Sequence, residues 1–330
     1  MPINYSIIIP HHNIPFLLKR CLSSIPCRDD IEVIVVDDAS DNEYKPTLKD
    51  VCINSFSLNI RLIELSINGG GGKARNKGLE LANGRFVLFA DADDFFNYCI
   101  NGILEEYATS DADIVYFKGN CVNSETYVSG NRLDYINKKI DSALKGLPGS
   151  EYDLRYYFQV PVCKIIRRSV ITDNNIQFDE TNIRNDVTFS YTIGHHAKKI
   201  VADKRALYCA TSREGSISTF RTNDRILTTI DVLGRAVRFF RNNHLNAKGY
   251  ETTLSHNLYI LLRRRDYESY ESGFKILEKL GFKRKESERT FSLRIAETAL
   301  SSCVWCIAFA PSLNIKKWCI LFLYKSFFHR

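Results

Sequence analysis

The stretch FVLFADADDFF, from Phe86 to Phe96, places three aspartates directly after a short apolar run. A continuous apolar run of this length is typical of a β-strand buried on both faces. Carboxylates crowded at the end of such a strand repel one another, so their pKa values rise unless a cation compensates. The stretch therefore predicts either a site for a divalent metal ion or a group of aspartates at the N-terminus of the next helix.

Strand and helix patterns alternate on both sides of this stretch. The apolar, β-branched runs are YSIIIP, IEVIVVDD and NIRLIELSI, and helical spacing occurs in PFLLKRCLSSI and KARNKGLELANG. The alternation predicts an α/β fold with a mostly parallel sheet and helices on both faces. Ligands bind such sheets outside the carboxyl ends of the strands. Because Asp37 and Asp38 also follow a predicted strand, we expect both acidic clusters at one edge of the sheet.

Four consecutive glycines, within SINGGGGKARNKG, separate the third predicted strand from the next helix. A P-loop would need glycine at Ile67 and serine or threonine at Ala74. A dinucleotide-binding unit would need glycines after the first strand, which ends in IIIPHHN instead. A sugar nucleotidyltransferase would also place a glycine-rich loop with a basic residue there. The glycine run therefore matches none of these three classes.

The composition is that of a folded globular protein. With 330 residues, 45% of them hydrophobic, the chain can bury one large core or two smaller ones. The ten cysteines are scattered, and the start MPINYSIIIP lacks a signal peptide's basic residues and cleavage site. We therefore expect reduced thiols and a cytoplasmic enzyme. Only Cys303 and Cys306 have metal-ligand spacing, and without a second pair we interpret them as apolar filler.

Charge is distributed unevenly along the chain. Residues 1–215 carry a net charge of −3 and residues 216–330 a net charge of +10. The final 30 residues mix aromatic side chains with lysine and arginine, and Pro311 and the pair Lys316–Lys317 keep their apolar runs well short of the roughly 20 residues that span a bilayer. This predicts a segment in the membrane interface, peripheral on anionic lipid of the inner membrane face. A terminal helix packed on the domain is the alternative.

Four separated motifs occur in one order: YSIIIPHHN, EVIVVDDASDN, NGGGGKARNKGLELANGRFVLFADADDF and IRNDVTF. Together they resemble glycosyltransferase family 2, the inverting enzymes with a GT-A fold. The resemblance covers about residues 4–220. It implies a catalytic domain at 1–220, with nucleotide-sugar binding in 1–120 and the acceptor side in 121–220. Helical patterns predict a separate basic, helical C-terminal region at 221–330.

The resemblance implies a nucleoside pocket between two strand ends. Asp38, with Asp37 beside it, would accept a hydrogen bond from uracil N3–H of a UDP-sugar. The turn from Pro10 to Asn13 would form the opposite wall. A local Asx turn that ends the strand is the alternative for the aspartate pair.

Two further segments are implied to face the nucleotide. Asn68 and Arg75 occupy the family's N-x-G-x-x-x-A-R-N positions, where the arginine approaches the nucleotide. Arg213 and Ser216 lie where similar enzymes have a mobile loop over the diphosphate. For both arginines, an ordinary solvated surface charge is the alternative.

The aspartates of the opening stretch match the family's D-x-D motif. Asp91 would contact the ribose or a metal-bound water, Asp93 would ligate Mn²⁺ or Mg²⁺, and Asp94 would cap the next helix. Oxygen ligands without His or Cys favour such hard ions. Without metal and nucleotide, we expect the crowded carboxylates to be partly protonated or disordered.

Inversion also needs a base that removes the proton of the acceptor hydroxyl. The family places this carboxylate in an E-D pair before a helix, and the corresponding residues are Asn185 and Asp186. Asp186 is the implied base, whereas Asn185 departs from the usual glutamate. Upstream, VPVCKIIRRSVITD resembles a strand that ends in a lysine, Lys164, followed by a basic helix start.

The resemblance implies a metal-dependent transferase that moves a hexose or N-acetylhexosamine from a UDP-sugar to a sugar acceptor. The basic C-terminal region suggests a membrane-anchored acceptor, such as a glycan on a polyprenyl diphosphate, and an O-antigen, capsule or exopolysaccharide product. One alternative is a sugar-binding scaffold without activity, which Asn185 alone favours. Nucleic acid is not an expected partner, because the basic region has no zinc-finger or RNA-recognition motif.

Overall fold

A computed structural model describes residues 2–47, 59–213 and 222–283. The chain divides into two compact units, Met1–Phe220 and Arg221–Arg330. Helices and strands are numbered below along the described residues. The first unit contains β1 (Tyr5–His11), α1 (Pro15–Ser23), β2 (Ile31–Asp37), a 3₁₀ turn (Asn42–Tyr44), β3 (Asn59–Glu64), α2 (Gly70–Leu81), β4 (Phe86–Phe89), β5 (Phe95–Phe96), α3 (Ile100–Tyr107), β6 (Ile114–Asn123), α4 (Asp134–Leu144), α5 (Ser150–Tyr157), β7 (Lys164–Arg167), α6 (Arg168–Thr172), α7 (Asn185–His196) and β8 (Ile200–Ser212).

These strands form one mixed sheet in the order β3-β2-β1-β4-β7-β6-β8-β5. The first four run parallel, and so do β6 and β8. The short strand β7 lies antiparallel between β4 and β6, and β5 pairs antiparallel with β8. The predicted α/β fold with a mostly parallel sheet is confirmed, and short strands supply its antiparallel part.

The core surrounds the central strands. Every residue of β2 is buried, and so is every residue of β1 except the half-buried Pro10. Each fully buried valine or isoleucine contributes about 1.5–3 kcal/mol, so these β-branched strands are held firmly. The residues that follow their carboxyl ends are therefore attached to the most rigid part of the sheet.

The sequence pattern predicted that α2 begins after the glycine run. In the structure α2 begins inside the run. Gly70 is its first residue and has φ = +81°, a conformation that favours glycine. A Cβ atom on Gly72 would lie 2.0 Å from the main-chain oxygen of Asp179, and one on Gly78 would lie 2.4 Å from the side chain of Ile8. The glycines thus allow α2 to pack directly against its neighbours.

The strand that we expected to end in a lysine begins with it. β7 starts at Lys164 and ends at Arg167, where the chain passes directly into α6. The apolar pair between these residues is buried in the sheet, so the strand follows the lysine. Lys164 consequently enters the core, a position that the motif did not indicate.

The second unit contains the helices α8 (Asn223–Asn242), α9 (Lys248–Arg263) and α10 (Tyr267–Lys279). The sequence predicted α8 and α10 but not α9, whose first half is rich in glycine, threonine and serine. The buried stripe of Leu254, Leu258 and Leu261 stabilises it. None of the described helices is both long and apolar enough to cross a membrane.

Three sequence predictions lie outside the described residues. They are the last predicted helix, SLRIAETALSSCVW, the cysteine pair Cys303 and Cys306, and the aromatic tail. Contact with an anionic membrane therefore stays a prediction.

Candidate active site

The carboxyl ends of β1, β2 and β4 meet at one edge of the sheet. Register pairs His11 with Asp37, and Ile8 with Phe89 on the other side of β1. The turn after β1, the aspartate pair after β2 and the acidic stretch after β4 are therefore neighbours. This confirms the predicted placement of both acidic clusters.

Asp37 organises the turn after β1. Its carboxylate lies 2.8 Å from Nδ1 of His11 and accepts hydrogen bonds from the main-chain N–H and the hydroxyl of Ser40. His11 Nε2 accepts from the N–H of Ile14, so the ring is neutral with its proton on Nδ1. Burial lowers the pKa of His11 and keeps it in this form. The fully buried Asp37 thus holds the turn after β1 and also forms the local turn that was its alternative.

Asp38 fastens the start of α2. Its two carboxylate oxygens accept from the N–H groups of Gly69 and Gly70, at 2.8 and 2.7 Å. These donors are free because the first N–H groups of a helix have no partner within the helix. Asp38 is 3% exposed. Each oxygen keeps a second lone pair, and those lone pairs are what a nucleobase could use.

The Pro10–Asn13 turn is tied to the segment after β2. Asn13, at φ = +56°, exchanges hydrogen bonds with Asp41, each 2.8 Å long. His12 Nδ1 lies 3.0 Å from the main-chain oxygen of Asp38, and Asn68 Nδ2 lies 3.4 Å from the same ring. The sequence analysis did not single out His11 or His12, although both lie inside the predicted Pro10–Asn13 turn.

Arg75 joins the donor side to the helix that carries the implied base. Its guanidinium donates to Asp91 Oδ1 at 2.5 Å and to Asn185 Oδ1 at 3.1 Å. It also lies 5.4 Å from the ring centre of Phe178. Arg75 is buried, so the alternative of a surface charge is wrong. Asn185 is the first residue of α7, and the network therefore ends next to Asp186.

Asp93 is the carboxylate of the acidic stretch that remains open. Arg213 Nε lies 3.6 Å from its Oδ2. Burial, together with the charge of Asp91, raises the pKa of Asp93, the direction expected for crowded carboxylates. Ser216, the other residue implied at this loop, lies outside the described residues.

Asp91 and Asp93 fit the requirements of a hard metal ion. The described residues contain no cluster of three or more His, Cys, Asp or Glu side chains that could hold a metal. Mg²⁺ or Mn²⁺ bound with a nucleotide needs only one or two carboxylates, because phosphate and water complete its coordination. Two neighbouring carboxylates, one of them open, satisfy this requirement.

The prediction that Asp94 caps the next helix is wrong. Its carboxylate accepts from the hydroxyl of Tyr208 at 2.9 Å and from the N–H of Thr211 at 2.6 Å. Tyr208 in turn accepts from the N–H of Asp91. The helix α3 begins six residues after Asp94, without a side-chain cap. Asp94 therefore ties the acidic stretch to β8, and burial raises its pKa well above the usual range.

Asp186 lies in the first turn of α7 and is partly buried. Burial raises the pKa of its carboxyl group, and the positive charges of Arg75 and Lys164 oppose that rise. Among the described residues, only its own main-chain N–H donates a hydrogen bond to this carboxylate. An open carboxylate with a raised pKa at a helix N-terminus is suited to accept a proton.

Comparison with known proteins agrees with the family resemblance of the sequence motifs. Residues 6–173 match the family model described as Glycosyl transferase family 2. Over 229 residues the chain is 31% identical to the poly(ribitol-phosphate) β-N-acetylglucosaminyltransferase TarS of Staphylococcus aureus, covering 64% of this chain and 36% of TarS. Over 228 residues it is 28% identical to the poly(ribitol-phosphate) β-glucosyltransferase of Bacillus spizizenii, covering 64% of this chain and 32% of that enzyme.

A solved structure shows the same fold. The crystal structure of S. aureus TarS 1–349 in complex with UDP-GlcNAc matches with a TM-score of 0.57 and 25% sequence identity. The match covers 89% of this chain and 80% of that one. By contrast, the chain spans about a third of the length of the two curated relatives.

Proposed function

The chain belongs to glycosyl transferase family 2, and from this premise we propose that it transfers a sugar from a UDP-sugar to a hydroxyl group of a polyol-phosphate polymer, with inversion at the anomeric carbon. The observation that carries the proposal is the Arg75 bridge. It connects a carboxylate of the donor side, Asp91, to the first turn of the helix that bears Asp186. A donor site and a base are thus parts of one connected network.

Each residue of this network has a role in the proposed reaction. Asp93 and Asp91 would hold Mn²⁺ or Mg²⁺, which when bound supplies Lewis-acid stabilisation of the charge on the departing UDP. Arg213, beside Asp93, is placed to contact the same diphosphate. Asp186 accepts the proton of the acceptor hydroxyl as that oxygen attacks, and its raised pKa strengthens it as a base near neutral pH.

The choice of sugar and acceptor rests on the relatives. TarS is named for N-acetylglucosamine transfer and the Bacillus enzyme for glucose transfer, both to poly(ribitol phosphate) and both with β stereochemistry. These relatives concern teichoic-acid polymers rather than the O-antigen or capsule units that the sequence suggested. We therefore propose UDP-GlcNAc or UDP-glucose as donor and a polyanionic acceptor in place of a polyprenyl-diphosphate glycan.

A surface groove supports a polymeric, anionic acceptor. It encloses about 720 Å³ beside Arg213 and is lined by side chains that include Phe16, Lys19 and Tyr127. Phe16 is 82% exposed and Tyr127 56% exposed. Exposed aromatic rings can pack against the carbon skeleton of a polyol, and the cations attract its phosphates.

The alternative of an inactive scaffold rested on Asn185. The side-chain oxygen of Asn185 accepts a hydrogen bond from Arg75, which supports a role for this residue within the proposed site. Because Asn185 is neutral, Asp91 is the only carboxylate of the described site that forms an ion pair with Arg75. The departure from glutamate therefore does not indicate lost activity.

The decisive experiment measures transfer from UDP-GlcNAc and UDP-glucose to poly(ribitol phosphate), with and without Mn²⁺. Asp186→Asn should lower kcat by about 100- to 10,000-fold, because a general base contributes roughly that factor. Its affinity for UDP should stay unchanged. Asp29→Asn, an exposed aspartate before β2, is the matched control and should retain full activity. Normal turnover in Asp186→Asn, or no transfer to any polyol-phosphate acceptor, would refute the proposal.

The groove is tested with acceptors of two lengths. Phe16→Ala and Tyr127→Ala should each raise KM for the polymer about fivefold, the effect of losing roughly 1 kcal/mol of contact. KM for a single ribitol-phosphate unit should not change. Tyr98→Ala removes an aromatic side chain that is 99% exposed and lies outside the groove, so it serves as control. Equal effects on both acceptors would remove the groove from the proposal.

A further inference from the structure

Lys164 is a buried cation without an ion pair among the described residues. Its side chain is fully buried and about 1% of the residue is exposed at the start of β7, in the middle of the sheet. Lysine is almost never fully buried unless it is paired, because removing an ammonium group from water is costly. A residue maintained against this cost is a candidate for a role beyond packing.

The ammonium group is held by a small set of neutral partners. Nζ donates to the main-chain oxygen of Phe158 at 2.9 Å and to the hydroxyl of Ser190 at 3.3 Å. It lies 5.1 Å from the ring centre of Phe158 and 5.6 Å from that of Tyr116. Aromatic faces attract a cation at these distances, more strongly when it is desolvated.

Ser190 connects this cation to the proposed base. It lies four residues after Asp186 on α7, so both side chains occupy the same face of the helix, one turn apart. The bond from Lys164 to Ser190 therefore fixes the turn below Asp186 to the central sheet.

Lys164 and Asp186 also interact electrostatically. Burial lowers the pKa of Lys164 to about 7, so the amine is mainly charged on the acid side of that pH, and the carboxylate of Asp186 opposes the shift. Lys164 reciprocally opposes the burial-driven rise in the pKa of Asp186. The other titratable groups that face this cation are Cys163, directly before β7, and Tyr116 on β6, and burial raises the pKa of both, so they stay neutral.

We propose that Lys164 is a positioning residue for Asp186: it anchors the first turns of α7 through Ser190 and supplies the positive charge that keeps the carboxylate ionised. Lys164 contacts neither donor nor acceptor and acts only through Ser190 and its charge. This inference rests on the proposed function, in which Asp186 is the base.

The experiment separates charge from anchoring with two variants. Lys164→Met keeps the length and apolar stem of the side chain but removes both the charge and the bond to Ser190. Ser190→Ala keeps the charge but removes the anchor. The pKa of Asp186 is followed directly in the full-length protein by ¹³C NMR of labelled aspartate, with the signal assigned by its loss in Asp186→Asn. The acid limb of the pH profile of kcat/KM is measured in parallel.

Lys164→Met should raise the pKa of Asp186 by about one pH unit, the lower end of what a nearby opposite charge contributes. The acid limb of the activity profile should move upward by the same amount, with UDP affinity unchanged. Ser190→Ala should leave both pH values in place and lower kcat about threefold, as expected for the loss of one hydrogen bond of roughly 0.6 kcal/mol. A residue with a purely structural role would move neither pH value.

An unchanged Asp186 titration in Lys164→Met overturns the inference. So does a loss of UDP affinity in Lys164→Met that equals its loss of activity, because this would indicate general disorder. A parent protein that transfers no sugar would refute the proposed function instead. In that case the NMR titration still decides whether Lys164 acts on Asp186.

Discussion

The carboxylates of the site fall into two groups that differ in how the chain holds them. Asp37, Asp38, Asp91 and Asp94 each accept hydrogen bonds from described neighbours. Asp93 and Asp186 accept none from other described residues and only one from their own main-chain N–H, and burial raises the pKa of both. Held carboxylates shape the site, whereas Asp93 and Asp186 are available to a metal ion or a proton. Asp91 belongs to both descriptions, because Arg75 holds it and the proposed metal would bind beside it. The difference teaches that proximity to the sheet edge does not by itself make an aspartate functional.

The largest effect is expected for an open carboxylate. Asp93→Ala should lower kcat by about 100- to 1,000-fold, the usual result of removing one electrostatic stabiliser of a departing group. Titration calorimetry of UDP with and without Mn²⁺ should show that the metal no longer strengthens binding. Thermal stability should be maintained, and Asp29→Asn is again the control. Metal-dependent turnover at the normal rate would place the ion elsewhere.

Disturbing α2, whose start is held by Asp38, should lower stability more than activity. In Gly72→Ala the new Cβ would lie 2.0 Å from the main-chain oxygen of Asp179, which forces α2 to shift. The free energy of unfolding should fall by about 2–3 kcal/mol, at the upper end for overpacking. Gly102→Ala is the matched control, because a Cβ there contacts nothing within 4 Å. It should stabilise its helix by up to about 1 kcal/mol in urea unfolding.

Removing a held carboxylate should have a smaller effect on stability. Asp38→Ala leaves the N–H groups of Gly69 and Gly70 unpaired, so the free energy of unfolding should fall by about 1–2 kcal/mol. Asp38→Asn keeps one acceptor oxygen and should lose roughly half as much. Urea unfolding measures both variants. Equal stability of the alanine and asparagine variants would show that the helix start does not depend on this carboxylate.

The smallest expected effect is a pH-dependent change in Tm when the open carboxylate Asp93 is neutralised. The pKa of Asp93 is raised in the folded chain, so stability from its neutral form is present below the unfolded pKa and is lost as pH rises through the folded value. Asp93→Asn should therefore raise Tm at pH 7 in EDTA by about 1–3 °C. The gain should shrink toward pH 4, where the native carboxyl is neutral. A constant gain across this range would contradict the raised pKa of Asp93.

The sequence was sufficient to predict the sheet and the edge at which the site lies. Periodicity predicted β1, β2 and β4 because they are buried along their whole length, and parallel strands bring their carboxyl ends together. It could not separate Asp94 from Asp93, since the partners of Asp94 lie on β8, more than 100 residues away. The role of Lys164 was hidden for a similar reason, since its partner Ser190 lies 26 residues away on another element. Pairwise contacts of this kind leave no local pattern.

The motif resemblance anticipated positions better than contacts. It located Arg75 and Asp186, but the bond that joins their neighbourhood passes through Asn185, the residue that departs from the family. The position of the glycine run suggested a loop, whereas close packing against Asp179 explains Gly72, and packing against Ile8 explains Gly78 further along α2. Motifs record which residues are needed, and packing decides what each one touches.

The Arg75 bridge also has a consequence for kinetics. Under the proposed function, a donor that draws Asp91 toward its phosphate and metal would release one of the two hydrogen bonds that Arg75 makes, while the other would still hold the first residue of α7. The position of the helix bearing Asp186 would then depend on whether the donor is present. Substrates should consequently bind in a compulsory order, the nucleotide sugar before the polymer, and UDP should leave last. Initial rates measured with UDP as product inhibitor test this order. Inhibition that is competitive with the donor but not with the polymer would support it.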